Sequence, residues 1–241
     1  GYRLTDFEVY PSGSGYRYAG VWRQNSDLPN WSLKDDVNEM VDDYFDANDL
    51  VGLGVAIAQG GEIKYTRGFG FQDEDAGVWY SSRTLNRLAS VAKLVSGVLT
   101  LHLQEQGDID DLDDPTADYI PTLPAHHTHS LRQILANRSG IGHYPAYSVN
   151  AVQYDTALAA AQTFWNTDSN NGLPGTQLVY NPGTACIYST HGHTVLGAAL
   201  EGATGKSIGD IIEDELSTPF GLPTMQVEDR DDGDANRSML Y

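Results

Sequence analysis

Apolar and polar side chains alternate with a period of two on both sides of the stretch Pro11-Ser12-Gly13-Ser14-Gly15. That period marks a half-buried strand, and a Pro/Ser/Gly turn between two such runs predicts a β-hairpin. Tyr2, Phe7, Tyr10, Tyr16, Tyr18 and Trp22 fall within it and are expected to stack across the strands, although a lone hairpin is marginal in water and must lean on something else. From Ser32 the period becomes helical: Ser32 is placed to cap a helix whose apolar face is Val37, Met40, Val41, Tyr44 and Phe45. A domain boundary is therefore expected there, dividing the chain into 1–31 and 32–241.

Residues 51–74 form two β-rich runs joined by Gly60-Gly61, the strongest hairpin signal in the chain. In 92–105, Ala92, Val95, Leu99 and Leu103 recur at helical spacing, which predicts a buried stripe that stops at Gly107 and its acidic turn. Further helices are expected over 130–136, 151–166, 191–202 and 206–216. Few strands and many helices imply an α+β fold, with a helical subdomain beside a small antiparallel sheet.

Composition narrows the function. With 241 residues, 40% of them apolar, the chain can bury a sizeable core. A formal charge of −19 leaves no basic stripe for a phosphate backbone, so nucleic acid is excluded as a partner. The acidity suits solubility, an extracellular life or a salty habitat. Cys186 is the single cysteine, so there is no internal disulfide and no thiolate set for zinc, and it is expected as a small buried side chain. His126, His127 and His129 sit in a Pro-bounded segment without accompanying carboxylates or cysteines and are expected as solvated loop residues, not as a metal site. No metal and no cofactor are implied, and no apolar run of about 18 residues exists to span a membrane. The acidic cluster over 227–234 reads as a solvated loop. The chain starts at Gly1 without a methionine or a leader, which suggests a processed or excised piece of something longer.

Only Lys34, Lys64, Lys93 and Lys206 supply lysine, and Lys93 lies in an apolar helix three residues after Ser90. At that spacing both side chains point to one side of a helix. A lysine that gives up its charge on burial can take the proton from a serine hydroxyl, while the first helical turn offers N–H groups to an oxyanion. The bland alternative is a capping serine and a snorkelling lysine.

The surroundings extend the pattern. The stretch "RLASVAKLVSGVLTLHLQEQGDIDDLDDPTADYIP" resembles the nucleophile region of the serine β-lactamase and penicillin-binding-protein superfamily, in its class C, esterase and DD-peptidase branch. "VGLGVAIAQGGEIKYTRGFG" is similar to that family's opening hairpin, "LRQILANRSGIGHY" to its leucine-rich turn, and "YNPGTACIYSTHGHTVLGAALEGATGKS" to its Pro-Gly and Tyr-x-Asn region with the following helix. The resemblance implies a β-lactamase/transpeptidase-like fold in which Ser90 is the acylated nucleophile, Lys93 its proton partner and Tyr188 the general base. Thr190 stands where the family has asparagine, as in the LACTB-like branch. Thr190 and His191 are the expected substrate-binding positions, with Asn137 and Arg138 in support and Ser139 in a structural turn.

"GYRLTDFEVYPSGSGYRYAGVWRQN" resembles one copy of the repeat that precedes the catalytic domain in polyglycine hydrolases. Together the two resemblances imply a secreted or periplasmic peptidase or esterase acting on a small-molecule or peptide substrate. The alternatives are a β-lactamase or DD-peptidase proper, or a non-catalytic binding protein that keeps the fold. No Lys-Thr-Gly occurs in the sequence, and the family's C-terminal strands are expected to be missing. The chain is therefore expected to be a fragment, either paired with a second chain that carries them or truncated, and inactive alone.

Overall fold

The computed structural model describes residues 2–12, 15–24, 31–143, 153–165, 178–228 and 237, the first two segments by their backbone. It divides into two compact units, 1–86 with 233–241, and 87–232.

In the first unit, strands β1 (Tyr2–Ser12) and β2 (Gly15–Gln24) pair antiparallel, from Tyr2 opposite Gln24 to Ser12 opposite Gly15. The hairpin is the one the alternation predicts. Its register, however, sets Phe7 opposite Gly20, Tyr10 opposite Arg17 and Tyr18 opposite Val9, so the aromatic positions do not face one another directly. Helix α1 (Lys34–Ala47) follows, with Leu33 and not Ser32 at its start and no side-chain cap. Val37, Val41 and Phe45 are half-buried, whereas Met40 and Tyr44 stay exposed, so the inward face is narrower than the apolar pattern. Strands β3 (Gly52–Gln59) and β4 (Glu62–Asp73) form the second hairpin. Gly60 and Gly61 both have positive φ, 62° and 79°, the backbone that a tight two-residue turn between twisted strands requires.

A short β5 (Val78–Trp79), which the sequence pattern does not signal, adds to β4 and stacks Trp79 on Phe71 at 4.4 Å. The sheet order is β3-β4-β5. Tyr65 and Phe69 of β4 are buried, and the Tyr65 hydroxyl and the Arg67 guanidinium both donate to Asn38 Oδ1 at 2.6 Å, fastening α1 to the sheet.

The second unit is helical: α2 (Ala92–Gln106), α3 (Thr116–Tyr119), α4 (Leu131–Leu135), α5 (Ala157–Trp165), α6 (Thr190–Thr204) and α7 (Ile208–Ile212), the last running into a wider turn over Glu213–Ser217. Helix α6 lies at the centre, with Val195, Leu196, Ala198, Ala199 and Leu200 all buried. Around it pack Leu99 and Leu103 of α2, Leu131 and Ile134 of α4, Ala161 and Trp165 of α5 and Ile211 of α7. A fully buried large aliphatic chain contributes about 1.5–3 kcal/mol, so this cluster sets the position of both α2 and α6, the two helices that carry the candidate chemistry. Helix α2 also leaves Leu94, Val98 and Leu101 exposed along its outer side, and is apolar on two faces where the sequence predicts one stripe.

Helix α4 begins at Ser130, where Ser130 and Gln133 bond each other's backbone N–H in a capping box. The expected helix over 151–166 begins only at Ala157 among the described residues. Two expectations are overturned. The histidines at 127 and 129 are not solvated: they are 5% and 0% exposed, with His127 Nδ1 2.9 Å from His129 Nε2, and His129 Nδ1 3.0 Å from the Thr116 hydroxyl. The segment that carries them folds inward, with His127 beside Trp165, and hydrogen bonds to each other and to Thr116 take up the ring nitrogens that face one another and the threonine. Cys186 is exposed because its segment runs as an irregular loop over the surface. Most of the acidic cluster at 227–234 lies outside the described residues. Among the described residues no helix is long and apolar enough to cross a membrane.

Candidate active site

Ser90 sits in a single 3₁₀ turn, Ala89–Val91, that leads directly into α2. Ala89 before it has φ of 46°. A left-handed backbone is unfavourable for a residue with a Cβ, and such positions are kept where the chain must turn sharply at a functional side chain. Lys93 is in the first turn of α2, so the two side chains rise on the same side, as their spacing predicts.

Tyr188 comes from the loop that precedes α6, and that loop is tied down on several sides. Asn137 (φ 53°) accepts the Ile187 N–H with its carbonyl and the Ser189 N–H with Oδ1. Arg138 exchanges bonds with Gly183 through its carbonyl and guanidinium. Ser189 caps α6, its hydroxyl accepting from Gly192 N–H at 2.8 Å and donating to the Gly142 carbonyl at 2.9 Å. Gly140 makes the close passage here: its φ is 78° and a Cβ would stand 2.0 Å from the Tyr180 carbonyl oxygen, which excludes other residues.

These supports bring Ser90 Oγ to 2.6 Å from the Tyr188 hydroxyl. Lys93 Nζ donates to Ser90 Oγ at 3.4 Å and to Thr190 Oγ1 at 3.2 Å, and stands 4.8 Å from the centre of the Tyr188 ring. Hydrogen bonding from Lys93 and then from Ser90, with the Lys93 charge, holds the Tyr188 phenol below its usual 10. A phenol near a cation gains phenolate character, which suits it to accept a serine proton. Tyr188 is 48% exposed, so the cluster is open to substrate.

Ser90, Lys93, Tyr188 and Thr190 thus converge. His191 does not join them at the surface: it is 5% exposed, and burial with the charge of nearby His143 lowers it to about 4. Its ring belongs to the interior beneath the site. Three further residues reach the cluster without having been singled out from the sequence. His143 Nε2 lies 3.2 Å from Thr190 Oγ1, and its ring is 6.0 Å from that of Tyr188. Ser96 donates to the Lys93 carbonyl and meets His193 Nδ1 at 3.0 Å. Burial first, and the Lys93 charge second, hold His193 at about 4, so a neutral ring lies near the lysine. A signal for His193 was present: it is three residues from Thr190, the same one-turn spacing that links Ser90 and Lys93. His143 lies in a loop, where no periodicity points to it. Among the described residues no group of three or more His, Cys, Asp or Glu is arranged to hold a metal ion.

Known proteins match both parts of the chain. A polyglycine hydrolase-like structural repeat fits residues 1–25. The teichoic acid D-alanine hydrolase of Staphylococcus aureus (strain MRSA252) is 25% identical over 192 residues, 80% of this chain and 45% of that protein. The chain therefore spans less than half the length of the curated relatives it matches. In three dimensions it is similar to FmtA from Staphylococcus aureus, with TM-score 0.63 and 22% identity over 82% of this chain and 52% of that one. It is also similar to EstCE1, described as a hydrolase with promiscuous acyltransferase activity, with TM-score 0.62 and 23% identity over 78% and 51% of the two chains. These likenesses establish a β-lactamase-type α+β fold. The family model described as Beta-lactamase fits residues 37–241, most of the sequence, and the chain belongs to that family.

Proposed function

We propose that this protein is a serine hydrolase that cleaves an amide or ester through an acyl-enzyme on Ser90. The observation that carries the reading is the 2.6 Å contact between Ser90 Oγ and a Tyr188 hydroxyl of lowered pKa, with Lys93 within reach of both. In the first half-reaction Ser90 Oγ attacks the substrate carbonyl carbon as its proton passes to the Tyr188 phenolate. The tetrahedral oxyanion then collapses and expels the alcohol or amine, which takes that proton from Tyr188. In the second half, water gives its proton to Tyr188, attacks the acyl carbon and releases the acid, and Ser90 Oγ is reprotonated. Lys93 stabilises the phenolate throughout, and N–H groups at the start of α2 face the oxyanion.

The repeat at 1–31 is read as a separate module before a hydrolase domain at 32–241, and the teichoic acid in the name of the S. aureus relative supports work outside the cytoplasm. A second chain bearing further strands is the proposed source of a second oxyanion donor. Loss of one oxyanion donor typically lowers the rate by roughly 10²–10³.

The test is hydrolysis of p-nitrophenyl esters and D-alanyl esters by the protein and by Ser90→Ala. Slow release that vanishes in the variant is expected. Equal release from both would refute Ser90 as nucleophile.

A further inference from the structure

Thr190 holds only one hydroxyl where an asparagine would present an acceptor and two donors. Its oxygen lies 3.2 Å from Lys93 Nζ and 3.2 Å from His143 Nε2. An ammonium has donors only, so between Lys93 and Thr190 the lysine donates and the threonine oxygen accepts. A hydroxyl that accepts from a cation is polarised into a better donor, and the His143 Nε2 beside it offers that proton an acceptor. The contacts form a chain from Lys93 to Thr190 to His143. Without His143 the Thr190 hydroxyl can rotate, and its proton competes with the ammonium for the space between them.

We propose that His143 is a positioning residue: by accepting the Thr190 proton it keeps the threonine oxygen turned to Lys93 and so holds the ammonium between Ser90 and Thr190. His143 and Thr190 together take over what one asparagine side chain would do. The inference rests on the Ser90 reading above but concerns residues outside the Ser90–Tyr188 pair.

The test measures the rate of covalent labelling of Ser90 by a fluorophosphonate in the full 241-residue protein and its variants. His143→Leu is expected to lower the rate roughly tenfold, the weight of one net hydrogen bond, while His143→Gln, which places an amide oxygen near the former Nε2, keeps most of it. Thr190→Asn brings its own acceptor for Lys93, so adding His143→Leu to Thr190→Asn should change the rate less than twofold. A merely structural role for His143 would give the same loss in both backgrounds. Wild-type labelling by His143→Leu, or equal losses with Thr190 and Asn at position 190, would overturn the proposal. Ser90→Ala separates the two claims: unaltered labelling there sinks the nucleophile assignment, whereas labelling lost in Ser90→Ala but untouched in His143→Leu sinks only this one.

Discussion

Glu201 offers a perturbation whose size follows from geometry. It lies near the end of α6, and its Oε1 accepts the N–H groups of Ala157 at 2.9 Å and Ile208 at 3.2 Å, while Oε2 accepts that of Leu158 at 3.0 Å. One carboxylate thus serves the first turns of both α5 and α7. Each of those helices also has a hydroxyl cap: Thr156 accepts from Ala159 N–H and Ser207 from Asp210 N–H. Glu201 takes the N–H groups these caps leave over. Removing it strands three donors, of which water recovers some because the helix ends are half-buried. Loss of a cap costs about 0.5–2 kcal/mol, and two helix starts lose a charged acceptor together. Glu201→Ala should therefore destabilise by about 2–4 kcal/mol, and with roughly 2–4 °C per kcal/mol for a chain of this size the melting midpoint should fall by about 5–15 °C. Glu201→Gln keeps one oxygen and can retain the two bonds of Oε1, so it should lose about half as much. Urea unfolding followed by circular dichroism, with Ser90 labelling at low temperature to confirm a folded site, gives both values. A midpoint unchanged in Glu201→Ala, or Gln as damaging as Ala, would refute the double-cap argument.

Three further outcomes are expected. Tyr188→Phe should slow Ser90 labelling by about 10²–10⁴, and Tyr188→Phe with Lys93→Met should be little worse than either alone because the pair acts as a unit; losses that multiply would contradict the coupling. Labelling should rise with pH as Tyr188 ionises, with a midpoint below 10, and Lys93→Met should move that midpoint upward because Lys93 is the first cause of the lowering; an unmoved midpoint would assign it to another group. Burial, reinforced by neighbouring histidines, holds His127 at about 2 and His129 at about 4. The unfolded chain, with histidines near 6.5, therefore binds more protons in the window below that value. Their contribution is full above about pH 6.5 and is lost on acidification, towards about 4 for His129 and about 2 for His127, each with a slope of up to about 1.4 kcal/mol per pH unit. The urea midpoint should fall between pH 7 and pH 5, and a flat midpoint would mean that the pair is not kept neutral.

What could be read from the sequence follows the reach of local rules. The Gly60-Gly61 hairpin, the Leu99–Leu103 side of α2 and the long α6 are periodic segments with their own turn and cap residues, and they form where expected. The convergence of Ser90, Lys93, Tyr188 and Thr190 is different in kind. Spacing joins only Ser90 to Lys93, and Tyr188 was brought to them by family resemblance, since residues 98 positions apart share no local period. Irregular segments were the hardest to read. The histidines at 127 and 129 look like loop polarity but are buried, because their partners are each other and Thr116, contacts that no pattern of hydrophobicity encodes. Cys186 fails in the opposite sense, an apolar-looking residue on a surface loop. Glu201 and His143 were invisible for the same reason, each bonding to chain far away in sequence.

A Ser90 nucleophile must become covalently acylated. Intact-mass spectrometry of the protein before and after treatment with a fluorophosphonate, followed by peptide mapping, tests it most directly. One adduct per chain is expected, on Ser90, absent in Ser90→Ala and strongly slowed in Tyr188→Phe. No adduct, or one that persists in Ser90→Ala, would contradict it and favour a binding protein that keeps the fold without the chemistry.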